Sequence, residues 1–159
     1  MAQVARATGN SANMPQRRVE GVAVSQNSIF LPMAVLAFWT FAVLLLIPFQ
    51  RFRAAFAGKV SSEDFKYGES RNVPDDVSIP NRAMMNLLEM PVLFYVACLM
   101  FYVSNRVDTV VLEVCWTYVA FRMAQTLVHV TYNNVFHRLT MFAVSNFVLI
   151  SLWGMFFLR

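Results

Sequence analysis

Four apolar stretches of about twenty residues each alternate with polar breaks along the chain. A helix that crosses a bilayer needs about 20 predominantly apolar residues. The pattern predicts spans at 29–49, 82–103, 109–132 and 139–158. The first carries no charge in its interior. Ser28 stands where its N-cap belongs, Pro32 falls in the first turn, where proline is tolerated, and Pro48 lies near the end. Residues 50–80 form one long polar connection, which Pro74 and Pro80 punctuate. Asn81 is the expected cap of the second span. The other two breaks, 104–108 and the one that Asn133 and Asn134 begin, are short. Spans two to four are therefore expected to be antiparallel neighbours. The expected fold is all-α, an integral membrane four-helix bundle over 29–159, preceded by a polar tail over 1–28.

Composition agrees with that reading. Hydrophobic residues make up 58% of the 159 and charged residues 14%, where a soluble domain carries about a quarter charged. Much of the surface is thus expected to meet lipid. The net charge of +4 suits an anionic membrane surface. The basic residues form no stripe interleaved with aromatics, which argues against a nucleic-acid partner. Cys98 and Cys115 lie in apolar runs and form neither a CxxC motif nor a metal-ligand spacing. They read as buried, reduced thiols, and no metal site is expected. The tail lacks the apolar core of a cleaved signal peptide, so the first span is expected to serve as an uncleaved insertion signal. Arg51, Arg53, Lys59, Lys66, Arg71 and Arg138 fall on one side of the membrane, and Arg6, Arg17, Arg18, Arg106 and Arg159 on the other. The cations nearest the span ends favour a cytoplasmic long loop.

Two of the predicted spans carry polar residues that hydrophobicity would exclude. Arg82, Asn86 and Glu89 are spaced i, i+4, i+7 and share one helix face. Leu93, Val96 and Met100 continue that face without polarity, so the polar part is confined to the end next to the long loop. In the third span Tyr118, Arg122, Gln125, His129 and Tyr132 follow one another at spacings of 4, 3, 4 and 3, a seam of heptad type. Antiparallel pairing would set Arg82 near Tyr132, Asn86 near His129, and Glu89 near Gln125 and Arg122. A charged residue at the centre of a spanning helix costs about 2.5–3.5 kcal/mol on insertion scales. Glu89 is too short to snorkel easily and is expected to pair with Arg82, Arg122 or both, or to face a wet cavity. The plainer reading is an ion-pair latch that fixes register. The excess of arginine over glutamate instead suits an anionic ligand, because the guanidinium fork recognises carboxylates. Glu113 is expected to pair with Arg106. Thr117, Thr126 and Thr131 are expected to bond their own helix, and Ser145, Asn146, Ser151 and Gly154 to pack helices.

The run Arg82-x-x-x-Asn86-x-x-Glu89, followed by a third helix with an inward Arg122, resembles the membrane-associated proteins in eicosanoid and glutathione metabolism. Four spans and a long first loop fit the same superfamily. The resemblance implies a homotrimer that binds glutathione as co-substrate in clefts between neighbouring subunits. It implies that Arg82, Asn86, Glu89 and Arg122 contact or organise the tripeptide, with Gln125, His129 and Tyr132 on the same seam. Arg138 occupies the place of the arginine that stabilises the glutathione thiolate in some members, and Arg122 is the second candidate for that role. The implied activity is that of a glutathione transferase or peroxidase acting on a hydrophobic small-molecule substrate that arrives from the bilayer. Pro91 stands two residues after Glu89 rather than three or four, and His129 stands where a tyrosine is common. A non-enzymatic subunit or scaffold of the same fold, binding a lipid or a larger membrane complex, is the alternative.

Overall fold

A computed structural model describes residues 24–158. Most of the expected tail lies outside them. Its last residues belong to the bundle instead. Gln26–Ile29 form a 3-10 turn, and the Gln26 amide bonds both backbone groups of Val107, donating to the carbonyl at 3.1 Å and accepting from the N–H at 3.1 Å. Ser28 lies inside that turn and caps nothing.

Five helical segments make four rods. They are α1 (Phe30–Phe56), α2 (Asp75–Glu89), α3 (Pro91–Val103), α4 (Thr109–Val130) and α5 (Val135–Leu158). α2 and α3 follow each other through Met90, whose backbone is helical. Pro91 has no N–H to continue the ladder, which marks the break. α1 with its lead-in, the α2–α3 rod and α5 are each long and apolar enough to cross a membrane. α4, with 22 residues, has the length of a span but not the composition, because Glu113, Arg122, Gln125 and His129 interrupt its apolar residues.

The rods begin and end where local chemistry stops or starts them. The Asp108 carboxylate accepts from the Val111 N–H at 2.8 Å and caps α4. Asn134 caps α5, accepting from the N–H groups of Phe136 and His137 at 3.0 and 3.2 Å. This cap starts α5 at Val135, one turn before the expected 139. α1 runs through Pro48 to Phe56, and α2 starts at Asp75, so the expected loop 50–80 contracts to 57–74. Asn81 is interior to α2 rather than a cap. Asn105 and Asn133 take positive φ of 54° and 46° just past helix ends, a conformation asparagine tolerates better than most residues.

Inward-facing positions explain the packing. The 3-10 turn and α1 together bury Ile29, Leu36, Val43 and Ile47. α3 contributes Phe94, Ala97, Cys98 and Phe101; α4 contributes Val111, Cys115, Tyr118 and Val119; and α5 contributes Leu149 and Leu152. α4 lies against α5, α2 and α1, and α3 lies against α5. Phe94 stacks on Tyr118 with centroids 4.6 Å apart. Both cysteines are buried, as expected, with their sulfurs 3.7 Å apart across α3 and α4. Thr117, Thr126 and Thr131 bond the carbonyls of Glu113, Arg122 and Leu127. Ser145 is buried as a packing group, whereas no atom of another helix lies within 4 Å of where a Gly154 side chain would begin.

Arg106 does not pair with Glu113. It donates to the Phe156 carbonyl at 3.1 Å and lies over that ring, a cation placed at the C-terminal end of α5, where the helix dipole favours it.

The connection 57–74 is folded back on the bundle. Arg51 donates to Glu69 at 3.0 Å and sits 4.4 Å over the Phe65 ring. Asp64 accepts from the Ser61 N–H at 2.8 Å and from the hydroxyls of Ser70 and Ser61. These donors, the Ser61 backbone first, hold its carboxyl below the usual aspartate range. A depressed carboxylate stabilises the fold above the ordinary aspartate range, and the contribution is lost as pH falls through its lowered pKa. Asp64→Ala is therefore expected to speed amide exchange over 61–70 at neutral pH, leaving α1 and α4 unchanged. The wild type should show the same local loosening only in strong acid.

Candidate functional site

The α4 seam is buried along most of its length. Tyr118 and Arg122 are 0% exposed, and Gln125 and His129 are 2%. They continue the apolar positions Val111 and Cys115 at the same spacing, so core burial and not a surface accident brings them inside. Tyr132 breaks the series. α4 ends at Val130, and the Tyr132 side chain is 61% exposed, with its hydroxyl 3.0 Å from Nδ1 of His137.

Arg122 organises the seam. Nε donates to the Tyr118 hydroxyl at 3.1 Å, and Nη1 donates to Oε1 of Gln125 at 2.9 Å. The guanidinium carbon lies 5.1 Å from the Phe142 ring centre and 5.7 Å from that of Tyr118, within cation–π range. Nη2 is buried and has no partner, and neither has Nδ1 of His129. Buried polar groups are nearly always hydrogen-bonded, so two orphans on one seam mark an incomplete environment.

α2 presents its polar stripe differently from the expectation. Val77, Ala83, Met84 and Leu87 take the inward positions. That rotation leaves Arg82 and Glu89 exposed and Asn86 at the margin. Among the described residues no ion pair or hydrogen bond joins Glu89 to Arg82 or Arg122. The expected latch is absent because Arg122 is held by neutral partners on its own helix. α2 does pack against α4, though it is Asn86, not the expected Glu89, that shares a cavity with Gln125. Asn86 and Gln125 line one cavity of about 210 Å³, together with Val135, Arg138, Leu139 and Phe142. Arg138 is fixed there by Asn133, whose Oδ1 accepts from Nη1 at 2.8 Å. Arg82 and Arg138 are the two cations near enough to His129 to act on it electrostatically.

Asn86, Gln125 and Arg138 thus converge on the cavity, and Arg122, which does not line it, touches two of its lining residues, Gln125 and Phe142. Arg82, Glu89 and Tyr132 lie outside. The pattern missed Val135, Leu139 and Phe142, which share the α5 face of Arg138 at i, i+4 and i+7 from Val135. It also missed Asn133, whose only signal is its place three residues past the end of α4.

The family model known as MAPEG matches residues 29–158. The chain belongs to the MAPEG family. These are the membrane-associated proteins in eicosanoid and glutathione metabolism, and the match spans every helix of the bundle. No curated protein and no solved structure matches the chain. Membership and the three apolar spans make it an integral membrane protein.

The network sets a cost on each of its bonds. Losing one hydrogen bond to a charged donor while the donor stays buried costs about 1.5–3 kcal/mol. Tyr118→Phe leaves Nε of Arg122 without its acceptor and should lower the stability of this MAPEG bundle by roughly that amount. Thermal unfolding in detergent measures it, and an unchanged midpoint would show that water replaces the hydroxyl.

Proposed function

We propose that the protein is a glutathione transferase-like membrane enzyme. One observation carries the reading: a fully buried Arg122 guanidinium with an unpartnered Nη2, in contact with Gln125 and Phe142 of a cavity that Arg138 lines and that no carboxylate of the described residues lines. An uncompensated buried charge is costly by several kcal/mol. An anionic ligand offsets that cost. Glutathione offers two carboxylates and an ionisable thiol, and the amides of Asn86 and Gln125 suit its peptide groups.

Size favours a shared site. Pockets that enclose a small molecule measure about 300–1,000 Å³, and this cavity is about 210 Å³. One copy therefore holds part of the tripeptide. The exposed stripe of Arg82 and Glu89 on α2 is costly against lipid, and in our reading a neighbouring copy in a homotrimer covers it and closes the cavity. Glu89 then meets the γ-glutamyl ammonium.

Arg138 is the residue proposed to act on sulfur. A cation beside a thiol favours the thiolate. The thiol proton leaves to solvent, the sulfur attacks the electrophilic carbon of a hydrophobic substrate, a C–S bond forms, and the leaving group departs with its electron pair. Asn133 holds Arg138 in place for this step.

Isothermal titration with glutathione, paired with an assay on a generic aryl halide, tests the reading. Wild type is expected to release heat and to conjugate. Arg138→Ala is expected to lose about 10²-fold or more in turnover, the scale of removing one electrostatic stabiliser, while still binding. No heat and no conjugation by the wild type would overturn the proposal.

A further inference from the structure

α1 is longer than the membrane requires. Its 27 residues span roughly 40 Å at 1.5 Å per residue, against a hydrocarbon core of about 30 Å. The apolar run 30–49 alone covers about 30 Å, so 50–56 stand in the headgroup layer. The start of α2 lies beside them, since Ala54, Val73 and Val77 share one small apolar cluster. Between these elements is a cavity of about 150 Å³ lined by Gln50, Arg53, Ala54, Ala57, Lys59 and Asp76.

The charges of this cavity are unpaired. Arg51, on the same helix, is taken by Glu69 and Phe65. Arg53 and Lys59 take part in neither of the ion pairs among the described residues, and neither does Asp76. All three are exposed. Two cations and one carboxylate therefore ring a hollow at the depth of lipid phosphates. Phe49, Phe52 and Phe56 stand exposed on the same end of α1, at 62%, 65% and 91%, where bulky aromatic residues meet acyl chains and the interface.

We propose that this cavity is a binding site for the headgroup of an aminophospholipid of the phosphatidylethanolamine type. The phosphodiester lies on Arg53 and Lys59, and Gln50 donates to it. The primary ammonium lies on Asp76 and donates N–H bonds that a choline headgroup lacks. A glycerol headgroup leaves Asp76 facing the lipid's negative charge with nothing between them. The site is separate from the cavity at Arg138 and does not depend on glutathione chemistry.

Native mass spectrometry of the full chain, released from bilayer discs holding equal parts phosphatidylethanolamine, phosphatidylcholine and phosphatidylglycerol, tests it. The wild type is expected to retain phosphatidylethanolamine over both others. Arg53→Gln with Lys59→Gln should reduce retention by about tenfold or more, since each interfacial cation contributes on the order of one such step or less. Asp76→Asn should keep lipid but lose the preference over phosphatidylglycerol. Arg71→Gln, a loop cation outside the cavity, should change nothing. Equal retention of the three lipids by wild type, or unchanged retention by the double variant, would overturn the site. Displacement of the lipid by soluble glycerophosphoethanolamine but not by glycerophosphocholine would support it, because the recognised groups lie in the headgroup.

Discussion

A guanidinium with no exposure and no carboxylate partner is the constraint around which this bundle is arranged. Arg122 lies eight residues before the end of α4, or about 12 Å along the helix axis. At that depth it cannot be left to lipid, and it is turned inward at the cost of desolvation. Tyr118 and Gln125 supply two acceptors from the same helix, and the ring of Phe142 on α5 supplies a face. The Phe142 contact ties α4 to α5, the two described helices that pack most extensively on each other. Together these contacts leave Nη2, with both of its N–H groups, unanswered. Structure and candidate chemistry thus share a cause: the arginine that packs the bundle is also the one that keeps a positive charge next to a cavity.

The membrane gives the rest of the arrangement its logic. Lipid solvates no polar group, so polar residues at depth must turn inward or be covered. α4 meets that demand by burying its seam. α2 does not, and its Arg82 and Glu89 remain on the surface of a single chain. Beyond them the same face continues as exposed Leu93 and Val96, so polarity is confined to the end that carries the Arg138 cavity. Helix ends are settled by short-range devices: Asp108 and Asn134 as caps, Asn105 and Asn133 at positive φ, and Arg106 on the Phe156 carbonyl near the end of α5.

Periodicity made most of the fold legible. The apolar runs located all four rods, and the heptad spacing of Tyr118, Arg122, Gln125 and His129 placed them on one buried face. Boundaries were less legible because they depend on single caps. Asn134 starts α5 a turn early, and that turn brings Val135, Arg138 and Leu139 onto one face with Phe142. Spacing also placed Arg82, Asn86 and Glu89 on a common face, but not the direction in which it points. That direction is decided by Ala83, Met84 and Leu87, which fit the core better than three polar groups. The ion pair expected of Glu89 fails for the same reason. Arg122 finds neutral acceptors at i−4 and i+3, a solution that residue spacing permits but does not reveal among several.

The most direct test of this account is an experimental density map of the protein saturated with glutathione in a bilayer disc. The account predicts ligand density against Arg138, Asn86 and Gln125, with a ligand acceptor or ligand-ordered water on Nη2 of Arg122. An empty cavity at saturation, or density at another place in the bundle, would contradict it.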